Sequence, residues 1–151
     1  MKKLLLFVIL PMLSFGQLSE DYIIFIEKET SNTIADFNLT KGSSVFIKKC
    51  EKKKKPVDVS KLANHINNSL IECGLKPIKN SENADYTIEV VYTSDIFNPR
   101  QITGLWLEMI DKNQNIVLGW QYDKNLKLKK LLLHPKDVGE YLKYLLTPKI
   151  K

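Results

Sequence analysis

Between Asp58 and Gly74 the apolar residues Val59, Leu62, Ala63, Ile66 and Leu70 return every three or four positions, which is the period of one helical face. Asp58 stands where an N-cap belongs, and Gly74 stands where a left-handed residue ends the last turn. The pattern predicts a helix over about 58–74, with Asn64, Asn67 and Asn68 on its wet side. A helix with one apolar stripe is stable only when that stripe covers another apolar surface, so the rest of the chain must supply one.

Strand signals supply it. Tyr22 to Glu27 (YIIFIE) and Ser43 to Cys50 (SSVFIKKC) are short runs of strand-forming residues, separated by a polar stretch that reads mostly as a connection. Asp85 to Thr93, Thr103 to Asp111 and Ile116 to Tyr122 are three more, the last two joined by a hairpin loop at Lys112 to Asn115. Leu126 to Leu133 reads as an ambiguous further strand. Pro135 opens a second helix, over about 135–147, with Val138, Tyr141, Leu142, Leu145 and Leu146 on one face and Pro148 at its end. The expected class is α+β: a mostly antiparallel sheet covered on one face by two helices, in one domain spanning 17–151.

Residues 1–16 precede that domain as a secretory signal peptide. Lys2 and Lys3 form a positive start, Leu4 to Leu13 an apolar run, and Ser14 and Gly16 the small residues that a cut between Gly16 and Gln17 requires. The apolar run is about ten residues, half of what spans a bilayer as a helix. The ending S-F-G-Q resembles signal peptides common in Bacteroidota. No Cys follows the cut, so a lipid anchor is disfavoured, and no later segment is apolar enough to span a membrane. The expected product is periplasmic or secreted. Its formal charge is +4, since the signal removes two of 23 basic residues and none of 17 acids. Arg100 is the sole arginine. Lysine lacks the bidentate fork that reads guanine or clamps phosphate, so nucleic acid is not an expected partner.

The first helix ends S-L-I-E-C-G-L (Ser69 to Leu75), A-D-Y-T-I-E-V (Ala84 to Val90) follows, and the later hairpin closes D-K-N-Q-N-I-V-L-G-W (Asp111 to Trp120). This resembles small exported envelope domains of the Bacteroidota type, without known function, in which a helix ending in Leu-x-x-x-Gly precedes a strand opening Ala-Asp-Tyr. The resemblance covers roughly 45–122 and implies an envelope protein with no catalytic residues to carry over. The absent lipobox Cys is a departure from many of its members.

Little in the chain points to catalysis. His65 and His134 have no ligand-spaced partners, no nucleophile elbow or phosphate loop is present, and no metal or cofactor is expected. Asp111, Asn113 and Asn115 mimic the start of a calcium loop, but Ile116 and Tyr122 fall where it needs Gly and Glu, so a polar hairpin turn is expected. Asp85, Asp95, Glu108 and Asp111 are the acids that a hydrolase could pair. Cys50 and Cys73 could bridge in an oxidising compartment, but a bridge is disfavoured. They fall near opposite ends of the first helix, roughly 22 Å apart at 1.5 Å per residue, whereas a disulfide needs Cα atoms within about 7 Å.

The binding candidates are lysines and tryptophans. Lys48, Lys49, Lys52, Lys53, Lys54 and Lys55 crowd into eight residues, and Lys124, Lys127, Lys129 and Lys130 form a second cluster. Each reads either as a solvated loop or as a surface for anionic headgroups, an anionic envelope polymer or an acidic partner, and the two together would make one patch. Trp106 and Trp120, on the two strands that flank the hairpin loop, are expected as near cross-strand neighbours, either in the core or as an exposed aromatic pair. The leading expectation is a non-enzymatic envelope module for binding or assembly, its partner an envelope protein or anionic polymer. The alternatives are a small secreted hydrolase with an acid pair, or a sugar- or peptide-binding protein or inhibitor using the tryptophans or the 94–102 loop.

Overall fold

The structure, a computed structural model, describes residues 18–52, 60–95, 97, 98, 100–123 and 133–151, with 49–52, 60 and 123 described by their backbone alone. The signal peptide 1–16 and its cleavage point, the Asp58 cap, Lys53, Lys54, Lys55, Lys124, Lys127, Lys129, Lys130 and the Leu126 to Leu132 run lie outside the described residues.

The elements run α1 (Glu20–Glu29), β1 (Ser31–Ile34), β2 (Ser44–Lys52), α2 (Ser60–Glu72), β3 (Lys76–Ile78), β4 (Tyr86–Ser94), β5 (Ile102–Asp111), β6 (Ile116–Asp123) and α3 (Pro135–Leu146). The six strands form one sheet in the order β1-β6-β5-β4-β2-β3. The class is α+β, and the sheet is mixed. β2 pairs in parallel with both β3 and β4, while β4, β5, β6 and β1 pair antiparallel. The reason is α2: it lies between β2 and its two neighbours in the sequence, and a strand that returns through a helical crossover arrives parallel.

Two segments depart from expectation. The Tyr22 to Glu27 run is helix α1, not a strand. Ser19 Oγ accepts from Tyr22 N at 3.3 Å, Glu20 and Asp21 favour the positive helix start, and Thr30 Oγ1 donates to the Ile26 carbonyl at 2.8 Å. Ile26 is buried while Ile24 is 47% exposed, so the apolar run feeds one helical face rather than a strand buried on both sides. The polar stretch after it holds β1, an edge strand exposed along its whole length. An edge exposed on both faces requires no apolar alternation, which is why none marks it.

The pleat sorts the central strands. Ile88, Val90 and Tyr92 of β4, Leu105, Leu107 and Met109 of β5, and Leu118, Trp120 and Tyr122 of β6 stand opposite one another in register and are buried. α3 meets this face: the Tyr141 ring lies 4.7 Å from that of Trp120, and the Tyr141 hydroxyl accepts from Asn32 Nδ2 at 2.8 Å. Burial pushes the Tyr141 hydroxyl pKa up to about 12, with the Glu27 charge adding to it. α2 packs on α3 at Gly139, where an added Cβ would come 2.8 Å from the His65 carbonyl oxygen, so this crossing requires glycine. No described helix is long and apolar enough to cross a membrane.

Candidate functional site

The topology draws several chain segments to one end of the sheet. β2 finishes at Lys52, opposite Tyr92 of β4. Tyr92 stands opposite Leu105 of β5, and Leu105 opposite Tyr122 of β6. Lys52 and Tyr122 are therefore three strand spacings apart, about 14 Å. From Lys52 the sequence runs into Lys53, Lys54 and Lys55, and from Asp123 into Lys124, Lys127, Lys129 and Lys130. Loop 95–101 joins β4 to β5 at the same end.

That loop is braced. Asp95 Oδ1 accepts from Phe97 N at 2.8 Å and Asn98 N at 2.9 Å, and Asp95 N donates to the Gln101 carbonyl at 3.0 Å. Gln101 N donates to the Asn98 carbonyl at 2.9 Å. Beneath it, Ile102 N donates to the Leu133 carbonyl at 2.7 Å, and His134 Nδ1 lies 3.1 Å from the Arg100 carbonyl oxygen. These bonds tie together the described residues of the loop, and the Phe97 side chain is 96% exposed.

Of the lysines singled out from the sequence, Lys48 is described with its side chain. Its Nζ lies 2.6 Å from Glu89 Oε1, so it is paired within the sheet. Lys48 is the extra residue of a bulge in the β2–β4 ladder between Ile47 and Lys49, and the bulge brings it over Glu89. Lys49 stands opposite Glu89 in that register.

The two tryptophans are not cross-strand neighbours. Trp106 stands opposite Gln121, and Trp120 opposite Leu107, so their side chains leave the sheet on opposite faces. A bulge is again the cause: Ile110 pairs with Ile116 but Met109 pairs with Leu118, and the extra Val117 shifts every later pair by one. Trp120 is fully buried; Trp106 is half-buried on the other face, beside Val91, Glu89 and Glu108. Glu89 and Glu108 stand directly opposite one another. Partial burial and then the Glu89 charge raise the Glu108 carboxyl above its ordinary range.

At the far end of the sheet a polar cleft of about 630 Å³ lies between the turn at Ser81–Asn83 and the β5–β6 hairpin, lined by Asp85, Asp111 and Lys112 among others. Lys112 Nζ lies 2.6 Å from Asp85 Oδ1, and Ser44 N donates to Asp85 Oδ2 at 2.8 Å. The lysine first, then Ser44, lower the Asp85 carboxyl to about 2. Asp111 is lowered chiefly by the Asn115 backbone amide, which donates to it as part of the expected polar turn. Both acids are held ionised, which suits them to fix loops and unsuits them as general acids.

Cys73 is a free thiol, half-buried, with its Sγ 4.0 Å from the Lys143 carbonyl oxygen, and burial raises its pKa. Cys50 sits in β2 opposite Val90. Among the described residues no group of three or more His, Cys, Asp or Glu is placed to hold a metal ion. The sequence marked this stretch as a turn and offered the 94–102 loop as a binding element; the hydrogen bonds that brace it were not legible there. The turn signal lay in Asp95, Asn98 and Pro99, all turn-forming residues around an apolar Phe97.

No family model matches the chain, and no curated protein matches it. Solved structures share its fold. A PelC dodecamer from Paraburkholderia phytofirmans is 15% identical, with 79% of this chain and 95% of that chain covered, at a TM-score of 0.52. A DUF4136 family protein from Bacteroides thetaiotaomicron is 8% identical, with 80% of this chain and 95% of that chain covered, at a TM-score of 0.51. The second accords, at the level of fold, with the resemblance to Bacteroidota-type domains of unknown function.

Proposed function

We propose that the chain is an exported, non-enzymatic module of the cell envelope that binds through the end of the sheet carrying loop 95–101. On this reading residues 1–16 are removed after Gly16, the helices cover one sheet face, and the lysines at 52–55 and 124–130 act together on an anionic envelope component. The observation that carries it is the register from Lys52 through Tyr92 and Leu105 to Tyr122, which brings the two points where the lysine-rich segments begin within about 14 Å. Cations that converge on one region raise the local potential together, while the same charges dispersed over a surface are screened separately. The dodecamer formed by PelC, on a similar fold, supports the assembly half of the reading.

The test is capture from detergent-solubilised envelope with the chain from Gln17 to Lys151 as bait. Replacing Lys52 to Lys55 by Glu is expected to abolish salt-sensitive capture while leaving the melting temperature nearly unchanged. Capture that ignores the charge reversal overturns the reading. The hydrolase alternative has one favouring observation, the facing Glu89 and Glu108, with the Glu108 carboxyl raised above its ordinary range by partial burial and then by the Glu89 charge. The Lys48 ion pair occupies Glu89, which weighs against it as a free base.

A further inference from the structure

The two edges of the sheet are built differently. β3 carries Pro77, which has no N–H to offer, with lysine at 76 and 79. Proline and lysine are the devices that keep an edge from pairing with another chain. β1 has neither. Ser31–Ile34 holds no proline and no lysine, its register on β6 runs without a bulge, and all four residues are exposed. Ala35 N donates to the Val117 carbonyl at 3.0 Å, one step past the pair of Ile34 with Leu118. The alternation of an antiparallel ladder then turns the backbone N–H and C=O of Asn32 and Ile34 away from β6, to the outside. On the helix side of this edge the Tyr141 hydroxyl accepts from Asn32 Nδ2 at 2.8 Å, and the exposed Tyr144 ring stacks on Tyr141 at 5.8 Å.

The charge around β1 is opposite in sign to that of the chain. Residues 18–39 hold five acids and one lysine, in a chain whose formal charge is +6. Glu27 precedes β1 and Asp36 follows it. Glu27 lies near enough for its charge to act on the Tyr141 hydroxyl that Asn32 meets. Both carboxylates are exposed, and neither has an ion-pair partner among the described residues. We propose that β1 accepts an extended, lysine- or arginine-bearing segment of a partner protein as a new edge strand, its backbone paired with Asn32 and Ile34 and its basic side chains on Glu27 and Asp36. Backbone bonds supply the affinity of such an added strand, Ile34 and Tyr144 give alternate side chains an apolar rest, and the flanking charges choose the partner. A second copy of β1 is the wrong occupant: antiparallel self-pairing about a twofold axis sets Glu27 of each copy toward Asp36 of the other. A polyanion is repelled for the same reason. This surface runs along the side of the sheet and does not depend on the loop 95–101 end.

The experiment titrates the chain from Gln17 to Lys151, which contains every described residue, with a short labelled peptide that alternates lysine and valine. Fluorescence anisotropy reads binding, and amide hydrogen exchange reads where the peptide sits. Two control peptides carry glutamate in place of every lysine, or the lysine sequence with every amide N-methylated, which keeps the charge and removes the donors. The expected result is binding of the lysine peptide that slows exchange at Asn32 and Ile34, while the Thr33 amide, which faces β6, serves as the internal reference. N-methylation should weaken binding about fivefold or more, the effect of losing two or more hydrogen bonds. The double variant Glu27→Lys, Asp36→Lys should weaken it as well and, because both side chains are exposed, should melt with the parent. Binding that leaves Asn32 and Ile34 exchange unchanged overturns the inference, as does equally tight binding of the glutamate peptide. Self-association that protects those two amides overturns the choice of a basic partner. No binding at the highest soluble peptide concentration overturns the inference and leaves the reading of the loop 95–101 end standing.

Discussion

Trp120 and Trp106 are the same residue on adjacent strands, and they have opposite fates. Trp120 is fully buried against Tyr141, whereas Trp106 lies half-buried on the other face, among charged neighbours. One residue separates the two outcomes. Without Val117 as the extra member of the β6 ladder, Trp106 would stand opposite Trp120 and the pair would share a face. A bulge therefore does more than bend a strand: it decides which aromatic the core receives. The buried face holds the fold together. The other can carry charge, as Glu89, Glu108 and Lys48 show.

The largest test of that contrast replaces each indole in turn. Trp120→Ala should cost about 3–5 kcal/mol in chemical denaturation, the range for removing a buried large aromatic, whereas Trp106→Ala should cost under about 1 kcal/mol. Equal losses would break the comparison. A smaller effect is expected at the contact between α3 and the edge strand. Tyr141→Phe removes the hydroxyl that accepts from Asn32 Nδ2, so unfolding free energy should fall by about 0.5–1.5 kcal/mol while the ring packing on Trp120 persists. Near-ultraviolet circular dichroism would register a moved indole if the hydroxyl also orients the ring. The smallest effect lies on the charged face. The Glu108 carboxyl is raised in the folded state, so its contribution is favourable below its ordinary range and is lost as pH rises through the folded value. Glu108→Gln should therefore gain about 0.2–1 kcal/mol at neutral pH, the size of one cross-strand like-charge pair, and gain nothing near pH 4. A gain of equal size at both pH values would show that the Glu89 charge is not its source.

Where the pattern was strong the sequence was legible. Leu62, Ile66 and Leu70 are buried along α2, Gly74 takes a φ of +82° after its last turn, and Val138, Tyr141, Leu142, Leu145 and Leu146 are buried along α3. β4, β5 and β6 lie within a residue of their expected bounds, because alternation and β-branched residues mark a strand that is buried on one side. Tyr22 to Glu27 misled because so short an apolar run satisfies strand and helix alike, and Ser19 and Thr30 decide between them. β1 and β3 were illegible because they are short edges, paired through backbone atoms that no side-chain pattern announces. The lysine runs were visible in the sequence, but the Lys48 pairing with Glu89 depends on a bulge that composition does not encode.

Local periodicity and capping chemistry are properties of neighbours in the chain, so the sequence by itself determined two amphipathic helices, three central strands, a polar hairpin turn and a lysine-rich charge distribution. Strand order, the parallel pairing of β2, the face each tryptophan takes and the shared end of the sheet to which β2, loop 95–101 and β6 all lead depend on residues tens of positions apart. Only the tertiary structure decided those, because pairing register is set by the closure of the whole sheet around one core, and one inserted residue in a ladder reverses every side chain beyond it.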